Sequence, residues 1–331
     1  MNPSAEQQLQ FIQNLQRLFE EGDFAATYKY ALLMALAELS VESQQVGECL
    51  ELTIIAISEK FAELYWPQTA PYVSTSDGSV AGVLLQNQGK QTAVTNALMT
   101  LRNNGASTIT QAKKLPSWPT VVKIISRTVA KMPVQYLQNV GGVSVPFLYD
   151  YPNPPGKIIL KSGVAEMLRT FHSLIQQLSR VGWVKHVREN KQNSGIIGQV
   201  DELEQFMFGS SRTSLSQAVD YLRKIQSGKC FYCESNLREA VDVDHFIPWS
   251  KYPRDLAHNF VLAHASCNRR KSDMLAAEEH LNNWLNRNQR YGLEIANELI
   301  GLQADNDCSN RVAYWAYEQG VAIGSHGWLS G

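Results

Sequence analysis

The sequence predicts a mainly α-helical protein that ends in a small α+β element. Three observations predict it. Apolar residues recur at helical spacing through the first 66 residues and again through much of the middle. Near the end, Cys230-x-x-Cys233 is followed by His264-x-x-Cys267, two pairs of soft ligands at the same spacing. Between these pairs lie two short runs, Val241–His245 and Asn259–Ala263, that read as antiparallel strands.

The elements follow in order. Leu9, Ile12, Leu15 and Phe19 keep a 3.6-residue period, which Gly22-Asp23 breaks. A second helix runs from Phe24 to Leu39, and a third from about Val46 to Tyr65, stopped at Trp66-Pro67. Residues 1–66 carry ten acidic and three basic side chains, so these helices are poor candidates for gripping a polyanion. They form either a stabilising bundle or a docking surface for a partner protein or a second copy.

Residues 67–200 reverse the charge, with four acidic and fourteen basic side chains. No carboxylate occurs between Asp77 and Asp150, whereas Lys113, Lys114, Lys123 and Arg127 all do. Such a block, in a chain of net charge −1, points to a nucleic-acid backbone as partner. Thr92–Arg102 and Thr120–Ala130 read as helices. Val143–Tyr149 and Lys157–Leu160 read as strands of a hairpin around the Pro-rich turn 151–156, and Gly163–Glu189 as one long helix. Lys191–Gly198 is polar and reads as a linker into a third region, 201–331.

That third region holds the chemistry. Two knuckles supply Cys230, Cys233, His264 and Cys267, a four-ligand set for one structural Zn²⁺. His264 is the least usual member, with Cys308 as its replacement, while Cys49 and Cys308 otherwise read as buried thiols. Helices are expected at Ser214–Ile225 before the knuckles, and at Ala276–Asn288 and Leu293–Leu302 after them. Asp244-His245-x-x-Pro248, Asn259 and Cys267-Asn268-x-x-Lys271 resemble the HNH, or ββα-metal, endonuclease family. The stretch Asp242–Asp273 is similar to the HNH domain of RNA-guided CRISPR nucleases. The knuckles are closer to zinc-bearing members such as phage junction resolvases. The resemblance implies a zinc-bound ββα finger, DNA as substrate, and Asn259 holding the His245 loop by hydrogen bonds. Helical N-terminal regions before a finger also occur in bacterial HNH proteins associated with phage defence.

The residue types fit that chemistry in their own right. Hydrolysing a phosphodiester needs an activated water, a Lewis acid and stabilisation of the leaving oxygen. Histidine is the side chain whose ordinary pKa lies nearest neutrality, so His245 suits a general base. Asp244 and Asn268 offer hard oxygens for one Mg²⁺ or Mn²⁺. Neighbours on a strand face opposite sides, so Asp244 and His245 share a site only where the strand ends, as Pro248 requires. Asp242 reads as a structural hydrogen-bond former and His258 as a solvated loop residue. Arg269, Arg270 and Lys271 fit phosphate contacts and a solvated helix face equally well. The competing reading is a non-catalytic zinc module that binds nucleic acid. No apolar run is long enough to cross a bilayer and no apolar leader opens the chain, so a soluble, cytoplasmic protein is expected.

Overall fold

Ser4 starts the first helix with a reciprocal cap. Its hydroxyl accepts from Gln7 N at 3.2 Å, and Gln7 Oε1 accepts from Ser4 N at 2.8 Å. The computed structural model describes residues 3–43, 49–72, 82–197, 202–209, 212–238 and 240–330. The chain divides into two compact units, Met1–Gly209 and Ser210–Gly331.

In the first unit, α1 (Ala5–Glu21) buries Phe11, Leu15 and Leu18 from one face. Helix α2 (Tyr28–Glu42) has no outer face: every residue from Ala31 to Ala37 is wholly buried. A helix apolar all round belongs at the centre of a bundle. Strand β1 (Glu51–Thr53) leads into α3 (Ile54–Tyr65), whose first turn is capped by Thr53. Then come α4 (Ala93–Asn103), α5 (Ile109–Lys113), α6 (Trp118–Lys131) and the single turn α7 (Pro133–Tyr136). Three short strands follow, β2 (Asn139–Val140), β3 (Val143–Ser144) and β4 (Lys157–Ile159). The unit closes with α8 (Val164–Thr170), α9 (His172–Glu189), α10 (Ser194–Ile197) and α11 (Leu203–Phe208). Helices α3, α8 and α9 pack on α2, and α6 packs on both α3 and α4.

One hydrophobic core runs from Phe11 to Met207. The acidic helices of 1–66 and the basic segment 67–200 therefore share a single interior, and residue 66 is no boundary between compact units. Docking a partner through α2 is ruled out by its burial. Where α9 crosses α2, Gly182 is obligatory: a Cβ there would lie 2.5 Å from Tyr30 Cε1. Near the other end of α2, Lys60 Nζ is held by Glu42 at 2.7 Å and Glu63 at 3.2 Å.

Some expectations shift. The second helix starts at Tyr28, not Phe24, and the third at Ile54, because Glu51–Thr53 pairs antiparallel with β4 instead. The stretch 44–48, including the expected start at Val46, lies outside the described residues. Strand β3 pairs with β2 across Gly141-Gly142, both at positive φ, so the hairpin expected between 143–149 and 157–160 reduces to one Tyr149–Leu160 bridge. The long helix breaks at Phe171, whose backbone leaves helical geometry between α8 and α9. The expected linker is partly helical, as α10. Cys49 is exposed, unlike the buried thiol expected. No helix among the described residues is long and apolar enough to cross a membrane.

The second unit begins with α12 (Arg212–Ile225). Strands β5 (Val241–His245) and β6 (Phe260–His264) pair antiparallel, with Val241 opposite His264 and His245 opposite Phe260. Helix α13 (Ala265–Lys271) follows β6 directly. Two helices expected at 276–288 and 293–302 are one, α14 (Glu278–Glu298), and a further helix, α15 (Asn306–Ala322), follows it. Helix α14 is anchored by its contacts: Trp284 stacks on Phe246 with centroids 5.2 Å apart, and buried Arg287 donates to the carbonyls of His258 and Phe260. His258 is itself buried, not solvated, and its Nε2 donates to Gly292 O at 3.1 Å. That bond joins the His258 loop to α14 inside the gap expected between two helices.

Candidate metal centre and active site

The two knuckles converge. The ligand atoms of Cys230, Cys233, His264 and Cys267 all lie within 4.8 Å of one another. A tetrahedral Zn²⁺ with Zn–S bonds of about 2.3 Å needs ligand atoms roughly 3.8 Å apart, so the cluster has the right size. Local backbone shapes it. Cys230 N donates to Ser235 O at 2.9 Å, Glu234 N to Cys230 O at 3.0 Å, and Glu234 takes a positive φ to close the turn. Phe231 N then donates to Leu262 O at 3.0 Å, tying the first knuckle to β6, which delivers His264.

His264 Nε2 lies 3.2 Å from Asn236 O, and its Nδ1 lies 3.3 Å from Cys233 Sγ. Donation to the Asn236 carbonyl fixes the proton on Nε2 and leaves Nδ1 as a lone-pair ligand. Cys308 is buried but lies outside the cluster, so His264 needs no replacement. The thiols perturb one another. Burial raises Cys233, but hydrogen bonds from the Ser235 backbone, Cys230 and His264 outweigh it and bring it to about 7. Burial, reinforced by the neighbouring cysteines, pushes Cys267 up to about 11. Three sulfurs held this close resist carrying charge together unless a cation sits between them, and the Cys₃His donor set fits Zn²⁺.

The hairpin carries the second group of residues. Alternation puts Asp242 and Asp244 on one face of β5 and His245 on the other. Beyond His245 the strand stops. Phe246 N donates to Asn259 O at 2.8 Å, while the Asn259 side chain bridges the loop both ways, accepting from Ile247 N at 2.8 Å and donating to Ile247 O at 2.9 Å. Asn259 is buried, so these bonds work in a water-poor setting.

His245 is positioned from three sides. Its Nε2 lies 2.9 Å from Asp255 Oδ1, and Trp249 and Phe260 meet its ring edge-on at 5.1 and 4.8 Å. The Asp255 carboxylate accepts a hydrogen bond from Nε2–H, which keeps the proton there and leaves Nδ1 as the basic nitrogen. Asp255 is a residue the motif reading missed, because it lies in the loop and no spacing rule links it to His245.

Helix α13 connects the zinc cluster to the hairpin. It carries Cys267, then Asn268, whose Nδ2 donates to Asp242 Oδ2 at 3.1 Å. No hydrogen bond among the described residues joins Asn268 to Asp244, whose Oδ2 accepts from Tyr232 Oη at 2.5 Å and from Lys271 Nζ at 3.0 Å. Burial and the Asp244 charge hold the Tyr232 phenol well above its usual range, so it stays a donor. Both contacts use Oδ2, and no hydrogen bond among the described residues reaches Oδ1. Asp242, Asp244 and Asn268 thus supply oxygens alone, a donor set suited to a hard divalent ion.

The expected cationic contacts divide. Lys271 is fully buried, with Nζ held by Asp244 and by His245 O at 3.0 Å, so it is structural and cannot reach a phosphate. Lys113 is paired with buried Glu63 at 2.7 Å, which neutralises it. Lys114, Lys123 and Arg127 are exposed, as are Arg269 and Arg270, and Arg270 also donates to Cys267 Sγ at 3.6 Å.

Comparison with known families agrees with this geometry. A family model described as HNH endonuclease matches residues 230–277, which span both knuckles, the hairpin and α13. A second, described as a domain of unknown function (DUF8808), matches residues 7–206, more than half of the chain. No curated protein and no solved structure matches it. The chain therefore belongs to the DUF8808 family and carries, after that segment, an HNH endonuclease domain with a Cys₃His cluster fit for zinc.

Proposed function

We propose that the second unit is a divalent-metal-dependent DNA endonuclease built on a zinc-bound ββα finger. The observation that carries this reading is His245: its Nε2 is bound to Asp255, at the end of a strand that also bears Asp242 and Asp244. With Nε2 protonated, His245 Nδ1 is free to take a proton from water as that water attacks phosphorus. Asp244 and Asn268 are the residues to hold one Mg²⁺ or Mn²⁺, which supplies Lewis acidity and stabilises the leaving 3′-oxygen. Asn259 keeps the His245 loop in register with β6. One such centre cuts one strand per encounter.

Exposed Lys114, Lys123 and Arg127, with Arg269 and Arg270, supply phosphate contacts that give affinity without reading sequence. A role in anti-phage defence rests on resemblance alone; equal phage plating on cells making wild type and His245→Ala would remove it. A second reading is favoured by one contact. Asp244 Oδ2 is engaged by Tyr232 and Lys271, as in a finger kept for binding only. Supercoiled plasmid with Mg²⁺ or Mn²⁺ separates the two. The nuclease reading requires nicking by wild type and none by His245→Ala, and binding without cleavage supports the alternative.

A further inference from the structure

The first unit holds an unassigned cleft with two chemically different ends. One cavity, of about 340 Å³, is lined by Lys90, Arg127 and Lys131, with Tyr28 and Met132 at its far side. A second, of about 180 Å³, shares Tyr28 and Met132 and is completed by Pro133, Tyr136, Asn139, two alanines and the Asp23–Lys29 pair. Tyr28 and Met132 belong to both linings, and the first cavity alone is within the size range of an ordinary small-molecule site.

The cationic end is out of balance. In this unit Lys60, Lys113, Lys157, Lys161, Arg169 and Lys185 each pair with a carboxylate, whereas, among the described residues, exposed Lys114 and Lys123 do not. Lys90, Arg127 and Lys131 pair with none among the described residues, and no carboxylate lines their cavity. Arg127 and Lys131 stand one helical turn apart on α6, an arrangement of like charges that is unfavourable until an anion joins it. The start of α4 beside them is already satisfied: Ala93 N donates to Tyr28 Oη and Thr95 N to Thr92 Oγ1, both at 3.1 Å. An anion here would rest on side-chain cations.

The other end suits a flat, partly polar ring. Tyr136 and Met132 are 47% and 50% exposed, although both are large apolar side chains beside a concavity. The Asn139 amide in its lining offers an acceptor for an exocyclic amino group, while Asp23 offsets the charge of Lys29. We propose that this cleft binds a nucleoside phosphate, with phosphate at Lys90, Arg127 and Lys131 and the base against Tyr136 and Met132. The ligand is either a free nucleotide or one unpaired nucleotide of a strand. The inference does not depend on the chemistry at His245, which lies in the other unit; it shares with the nuclease reading only Arg127, there a contact to DNA phosphate.

Calorimetric titration of the full chain with AMP, a deoxyadenosine pentanucleotide and inorganic phosphate tests it. AMP or the pentanucleotide should bind, and the double variant Arg127→Glu, Lys131→Glu should weaken that binding at least about tenfold, a 1.4 kcal/mol loss. Both positions are exposed, and an unchanged Tm would show that the fold survives. Tyr136→Ala should weaken AMP while leaving inorganic phosphate unaffected. Tighter binding of AMP identifies a free nucleotide, and tighter binding of the pentanucleotide identifies a strand. Absence of binding, binding indifferent to the charge reversal, or inorganic phosphate binding as well as AMP would each overturn the proposal.

Discussion

Asp255 Oδ1 accepts a hydrogen bond from His245 Nε2 at 2.9 Å, so a loop carboxylate sets the tautomer of the residue we propose as the base. Removing it should leave the ring present but unfixed. Asp255→Ala is expected to slow single-turnover nicking roughly 10–100-fold, the usual range for a carboxylate that orients a histidine, with zinc content unchanged. A variant as fast as wild type would show that this hydrogen bond does not matter for the reaction.

Lys271 behaves unlike its neighbours in the cationic run. Its Nζ satisfies both Asp244 and the carbonyl of His245 from a fully buried position. Lys271→Met strands the Asp244 carboxylate and should destabilise the second unit by about 3–5 kcal/mol, measured by denaturant unfolding. Arg269→Ala, on the exposed side, should leave stability within about 0.5 kcal/mol and only reduce the salt dependence of DNA binding. Equal stability losses for the two would contradict the burial of Lys271.

Zinc should be present at one ion per chain. Cys230→Ser and Cys267→Ser should lose it and unfold the second unit, while Cys308→Ser should keep it. Binding must displace a proton from Cys267, raised to about 11, whereas Cys233, near 7, is already half ionised at neutral pH. Zinc affinity should therefore fall as pH drops below neutrality, with protons released on loading. Affinity flat across that range, by competition with a chelating dye, would count against thiolate ligation.

Asn259 serves the loop alone. Its amide exchanges two hydrogen bonds with the Ile247 backbone, and Asn259→Ala leaves both of those backbone groups buried and unmet. A loss of about 1–3 kcal/mol is expected, together with slower nicking and unchanged zinc content. Unchanged stability would mean that the loop is held by other contacts.

The zinc ligands, and the place of His245 at the end of a strand, are legible because their signal is local: two-residue spacings and a nearby proline can be read in a single sequence. What failed was whatever depends on the third dimension. Asp255 meets His245 across a loop of arbitrary length. Lys271 follows two exposed arginines, and only the position of Asp244 and the His245 carbonyl reveals that it turns inward. In α14, the gap expected between 288 and 293 is helical, and buried His258 bonds to the Gly292 carbonyl within it. The apolar centre of α2 was visible as a run, but its burial on all sides, which removes it as a docking surface, required α3, α8 and α9.

The central claim is that His245, on a zinc-pinned hairpin, is the base of a nuclease. The most direct measurement is plasmid nicking by wild type and His245→Ala, both first shown to hold one zinc per chain. The account predicts nicking by wild type that depends on Mg²⁺ or Mn²⁺, and none above background by the variant. Equal nicking by the two zinc-loaded proteins would contradict it.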